Sequence, residues 1–146
     1  MAVLSIQSAV VYGHVGNAVA VPALQALGHE TWRVDTVAFS NHPGHGQFAG
    51  DVRPADEIAS LLRGMETLGV LWACDAVLSG YLGEPETATV VAAAVNATRR
   101  ANPNMNYVLD PVIGDDGRVF VRDGVLEGIR DQLVPLADIV LPNRSE

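Results

Sequence analysis

The chain contains no lysine: all nine basic residues are arginines, set against 17 acidic residues for a formal net charge of −8 over 146 residues. Without lysine, a G-x-x-x-x-G-K-[ST] phosphate loop cannot be completed. Apart from Arg99-Arg100 the arginines are scattered, so the clustered basic face of a nucleic-acid partner is missing. The single cysteine, Cys74, cannot close an internal disulfide, and its neighbours Ala73 and Val77 suggest a buried structural thiol rather than a nucleophile. No apolar run approaches the roughly 20 residues that cross a bilayer, and the first residues carry neither a basic leader nor a cleavage site. The expectation is a cytoplasmic protein with no nucleic-acid and no membrane partner. Other motifs are absent too. Gly13-His14-Val15-Gly16 does not have the spacing of G-x-G-x-x-G, Ser5 and Ser8 lack the G-x-S-x-G elbow, and His14, His42 and His45 fit no zinc spacing.

What is present reads as one α/β domain over residues 1–146. Hydrophobic residues make up 49% of the chain, enough for a real core at this length. Val3–Gln7 reads as a buried strand, Asn17–Leu27 as a helix kinked at Pro22 and stopped by Gly28, and Glu30–Phe39 as a second strand. Ser40–Asp51 reads as a long polar loop. Pro54 opens the clearest helix, in which Ile58, Leu61, Leu62, Met65 and Leu68 follow helical spacing up to Gly69. A strand at Asp75–Ser79, a helix from Pro85 to Asn102, and a strand at Tyr107–Asp110 follow. Asp116-Gly117 signals a hairpin turn before an extended piece at Val119–Val121. A last helix carrying Val125, Leu126, Ile129 and Leu133 leads to a strand at Asp138–Leu141. This alternation predicts a doubly wound, mainly parallel sheet. The sheet is expected to be incomplete at its C-terminus, because the chain ends directly after a strand.

In such a sheet the carboxyl ends of the strands share one rim, where ligands bind. Ser8, the Ser40–Gly46 loop, Gly80-Tyr81, Asp110 and Asn143 all follow strands. Gly13 and Gly16 let the backbone approach a ligand. His14 is expected to bond nearby backbone; His42 and His45 are open to ligand contact or to plain solvation. Asp110 ends an apolar strand before Pro111, where it either holds a hydrated magnesium ion or caps its own loop. Asp116 belongs to the turn. Asn143 and Glu146, three apart, either form a cap or reach a metal-bound phosphate. Tyr81 is a core edge or a stacking face, with stacking favoured by its place at the rim.

Six segments resemble the pyridoxal kinases of the ribokinase-like superfamily: Ser5-Ile6-Gln7-Ser8, Tyr12-Gly13-His14-Val15-Gly16-Asn17, Val37-Ala38-Phe39-Ser40-Asn41-His42, Leu78-Ser79-Gly80-Tyr81, Asp110-Pro111-Val112-Ile113-Gly114 and Pro142-Asn143-Arg144-Ser145-Glu146. The resemblance runs along the whole chain in consistent order. It implies transfer of the ATP γ-phosphate to the 5′-hydroxyl of pyridoxal, pyridoxine or pyridoxamine, with magnesium (and potassium as a second candidate cation), in a homodimer. It places Ser8, Val15, Phe39, His42, Pro43, Gly44 and Tyr81 at the substrate. Asp110, Leu141, Asn143 and Glu146 fall at ATP, and Asp110, Asp115 and Glu146 at the metal. Pro43 departs from the family's threonine and offers neither hydroxyl nor N–H, so a contact carried there is lost or moves to backbone or His45. The family's Gly-x-Gly-Asp segment, with the catalytic base, is expected beyond residue 146, leaving no catalytic residue in this chain and no turnover from it alone. Two other readings stand beside this one: a non-catalytic vitamin B6-binding or regulatory module, and a hydroxymethylpyrimidine kinase, whose first turn would be richer in glycine and aspartate than Ser8–Asn17.

Overall fold

Strand β1, Ala2–Tyr12, runs through the middle of the molecule and explains most of its layering. A computed structural model describes all 146 residues, Met1–Glu146. Alternate side chains of β1 point to opposite faces. Leu4 and Ile6 enter the main core with Ile58, Leu62, Val91 and Val95. Ser5 instead meets Asn17 at the start of helix α1, Asn17–Ala26. The chain then forms β2 (Glu30–Asn41), a 3₁₀ turn at Pro43–His45, β3 (Gly50–Val52) and α2 (Ala55–Leu68). β4 (Cys74–Ser79), α3 (Glu86–Ala101), β5 (Asn106–Leu109), the β6 (Gly114–Asp115) and β7 (Arg118–Val119) pair, α4 (Val125–Gly128) and β8 (Ile139–Val140) complete it.

The six-stranded sheet has the order β3-β2-β1-β4-β5-β8. All neighbours are parallel except β3, which pairs antiparallel with Val37–Phe39. The chain moves outward from β1 to β2 on one side, then returns to continue with β4 on the other. That reversal between β1 and β4 is where an open α/β sheet forms a crevice. β4 stops pairing with β1 at Ile6↔Ser79, while β1 continues to Tyr12 beside β2. Ser8 thus lies past the end of one neighbour, where β2 also carries an extra residue between its partners of Gln7 and Ala9.

Several expectations are met and some corrected. Helix α2 ends on Gly69 at φ +76, with Gly69 N–H donating to Met65 carbonyl. Its buried face is narrower than the spacing implied, because Leu61 and Leu68 turn to solvent. Pro22 does lie inside α1. The stretch 40–51 is not one long loop: β2 extends to Asn41 and β3 returns beside it. A three-residue strand containing Gly50 and Asp51 has too little pattern to be seen in sequence. Asp116 (φ +49) and Gly117 (φ +74) form the expected tight turn between β6 and β7. After α4 the helix widens into a π-type turn at Ile129–Leu133, burying Ile129 and Leu133. Gly128 permits this approach, since a Cβ there would lie 2.7 Å from the Ala88 methyl. Cys74 is fully buried and its thiol donates to Ala76 carbonyl at 3.2 Å. Burial pushes that thiol's pKa up, as a structural role requires.

Candidate active site

At the carboxyl ends of β1, β2, β4 and β5 lies a cleft of about 760 Å³, within the range that encloses a small ligand. Its first wall is built from the β1–α1 junction. Asn17 is fully buried and its amide donates to Val34 carbonyl (2.9 Å) and to Asp35 Oδ1 (2.8 Å), while its own Oδ1 accepts from Ser5 hydroxyl (2.7 Å). Gln7 amide donates to Ser5 Oγ at 3.0 Å. This closed polar network pins the helix start against the sheet. Gly16, at φ +52, lies so near Ser8 that a Cβ would run into its carbonyl and hydroxyl. Ser8, Val15 and Gly16 therefore form one rigid corner of the cleft.

The second wall comes from the β2–β3 edge. Phe39 and Phe48 rings tilt together with centroids 4.8 Å apart. His42, Pro43 and Gly44 continue this wall. His42 Nδ1 accepts from Gly44 N–H at 3.1 Å, which fixes the imidazole while leaving its other nitrogen free. The third side holds Tyr81, Asp110, Val112, Phe120 and Arg122. Tyr81 is held through its carbonyl, which accepts the Thr36 hydroxyl at 2.6 Å. Burial raises its phenol pKa and the Arg122 charge opposes that rise. All three phenylalanines of a chain that is only 5% aromatic face this cleft. Apolar walls of that kind suit a flat ring.

Asp110 is half-buried, and both burial and the neighbouring Glu146 charge raise its pKa above the ordinary carboxylate value. Glu146 accepts Ile113 N–H (3.0 Å) on one oxygen and Asn143 N–H (2.9 Å) on the other, while Asn143 Oδ1 accepts from Ser145 N–H (2.7 Å). This is a reciprocal capping arrangement. Asn143 amide also donates to Gly114 carbonyl at 2.8 Å, and Ser145 Oγ accepts from Gly117 N–H at 3.1 Å. The turn after β8 thereby braces the β6–β7 hairpin.

Eight of the residues named from sequence thus come together: Ser8, Val15, Phe39, His42, Pro43, Gly44, Tyr81 and Asp110. Pro43 and Gly44 remain in the wall despite the loss of a hydroxyl. His45 does not replace it, because its ring turns toward Tyr12, 6.2 Å away. Leu141, Asn143 and Glu146 stand outside the cleft wall, and Asp115 is exposed on the hairpin with Oδ1 accepting from Asp116 N–H. Asp110, Asp115 and Glu146 do not form a three-ligand metal cluster. Asp115 pairs with Arg118 at the end of the hairpin, next to its turn. His14 is exposed and bonds no backbone group, which corrects the expectation for it. Sequence reasoning passed over Phe48, Phe120 and Arg122. The only signal for them was an aromatic inside a glycine-rich stretch and the alternation Phe120-Val121-Arg122.

The family model described as phosphomethylpyrimidine kinase matches residues 59–146. The chain belongs to this kinase family. Among curated members, the pyridoxal kinase PdxY of Granulibacter bethesdensis is 54% identical over 100% of this chain and 51% of its own length. That of Rubrobacter xylanophilus is 50% identical over 99% and 50%. Among solved structures, the Leishmania donovani pyridoxal kinase in complex with ADP and pyridoxamine superposes with a TM-score of 0.93 at 34% identity, covering 99% of this chain and 52% of that one. The chain spans about half the length of the curated relatives it matches. The expected mainly parallel α/β sheet is therefore also the fold of its kinase relatives.

Proposed function

We propose that the protein carrying this chain transfers the γ-phosphate of ATP to the 5′-hydroxyl of pyridoxal, pyridoxine or pyridoxamine. The observation that carries this reading is the cleft itself: a ring-sized space with phenylalanine walls, Tyr81 on one side, and only a few fixed polar groups. A relative bound to ADP and pyridoxamine supports the choice of ring and nucleotide. Ser8, at the rigid corner made by Gly16, would donate to or accept from the pyridine. Phe39 and Val15 would wall the ring and Tyr81 would cover a face of it. Phosphoryl transfer needs positioning and charge neutralisation above all. Magnesium keeps most of its waters and takes one or two carboxylates beside substrate phosphates. That pattern fits Asp110 near Glu146, two carboxyl groups whose mutual repulsion a cation would relieve, and it does not need a three-ligand cage. The resemblance assigns the base that takes the hydroxyl proton to the family's Gly-x-Gly-Asp segment and not to Asp110. Leu141, Asn143 and Glu146 would lie along the nucleotide, and a homodimer is the expected assembly.

The description of the matching family favours one second reading, a hydroxymethylpyrimidine kinase. Incubating the protein with ATP, magnesium and either ring separates the two. Formation of pyridoxal 5′-phosphate is expected. Phosphorylation of the pyrimidine alone would replace this reading with the second, and tight ring binding without any product would leave a binding module.

A further inference from the structure

Arg122 is the one arginine of the nine that lines the cleft. In a chain with 17 acidic residues, none of the four ion pairs involves it. Its backbone is nevertheless anchored. Phe120 N–H donates to Ile113 carbonyl at 3.1 Å, and Val125 N–H donates to the Arg122 carbonyl at 3.2 Å. Between these anchors the side chains alternate, with Phe120 and Arg122 on the cleft and Val121 packed on the core. The segment follows the hairpin that Asn143 and Ser145 brace. A guanidinium held at the wall of a mostly apolar cleft, with its donors unclaimed, is suited to a dianionic oxygen cluster that it can grip with two parallel N–H bonds. The cleft's one carboxylate, Asp110, lies by Glu146, whereas the Arg122 charge is felt at Tyr81. The cleft wall thus carries one carboxylate and one guanidinium.

We propose that Arg122 is a specificity residue that binds the phosphate of the phosphorylated pyridine, so that the cleft holds the ester more tightly than the free alcohol. This deepens the ring-binding reading above and rests on it. Its consequence is a product that leaves slowly and competes with the alcohol.

The test is an equilibrium titration of the protein, Arg122→Gln and Arg122→Lys with pyridoxine, pyridoxine 5′-phosphate and phenyl phosphate. The ester should bind about ten- to a hundredfold tighter than the alcohol, the range of charge-assisted hydrogen bonds. Arg122→Gln should erase that preference and leave alcohol affinity within about twofold, because a neutral hydroxyl makes little use of a charge. Arg122→Lys should keep part of the preference. Ester and alcohol weakened alike by Arg122→Gln, or an ester preference that survives it, would overturn the proposal. Pyridine binding that ignores Arg122 removes this proposal and leaves the vitamin reading in place. Binding of phenyl phosphate that needs Arg122, with no selectivity for the pyridine, does the reverse. Arg122 is exposed and its side chain has no protein partner, so thermal unfolding of the variants should match the parent and exclude misfolding as the cause.

Discussion

Asp110 shows at the scale of one residue how a binding role and stability pull apart. Its carboxyl is raised by burial and by Glu146, so its folded-state pKa lies above the unfolded one. Such a group contributes stability below the ordinary carboxylate range and loses that contribution as pH rises through the raised value. At neutral pH the ionised side chain therefore weakens the fold. Asp110→Asn should raise the melting temperature at pH 7 by roughly 1–3 °C, with the gain shrinking toward about pH 3, where aspartate is itself neutral. In the protein carrying this chain, the same variant should lower the proposed phosphoryl transfer by about 10²–10³, a pairing that calorimetry and a coupled assay can read together. Gly16 is the opposite case, a residue with no chemistry and little freedom. Gly16→Ala places a methyl group against Ser8 at a positive φ, which should cost about 2–4 kcal/mol in urea unfolding. Asp110 was readable from the chain because a polar residue closing an apolar strand stands out; Ser8, read as the residue after a strand over Val3–Gln7, lies inside β1, which runs on to Tyr12. Arg122 was not readable, because its importance lies in being the one cleft arginine.

Elements decide which of these residues meet. Helix α2 was visible end to end, since Pro54, an apolar stripe and Gly69 are all local signals. The Asp116-Gly117 turn was visible for the same reason. β3 escaped notice because its strand character comes from pairing with Val37–Phe39 and not from its own three residues. The hairpin of β6 and β7 gains its order from afar: Asn143 and Ser145 bond Gly114 and Gly117 across 29 and 28 residues. Asn143→Ala should accordingly cost about 1 kcal/mol. Amide exchange at Gly114–Phe120 should also quicken by about tenfold, while β1 and β4 stay protected. Unchanged exchange in the hairpin would show that the brace contributes nothing. Phe120 and Arg122 ride directly behind this hairpin, so the capping turn after β8 shapes the cleft without touching it.

At the scale of the whole molecule, the outward-then-return order of the strands opens the crevice between β1 and β4, and the cleft residues reach it from the carboxyl-terminal parts of β1 and β2, from β3 and from the segments that follow the strands. Alternation of apolar strands with helical periodicity was enough to specify a parallel α/β sheet, because burial on both faces and right-handed crossovers leave few other arrangements. The chain alone also determined which residue types stood at the strand ends, while the kind of ligand to expect came from the family resemblance. Distances between those ends were beyond it. Only the tertiary structure decided that Ser8, Phe39, Tyr81 and Asp110 share one wall system while Asp115 and His14 face away. Only it showed that Glu146 acts on Asp110 through charge. The reason is physical: secondary structure answers to neighbours a few residues away, whereas a site is a sum of contacts across tens of residues, settled by packing, twist and register together.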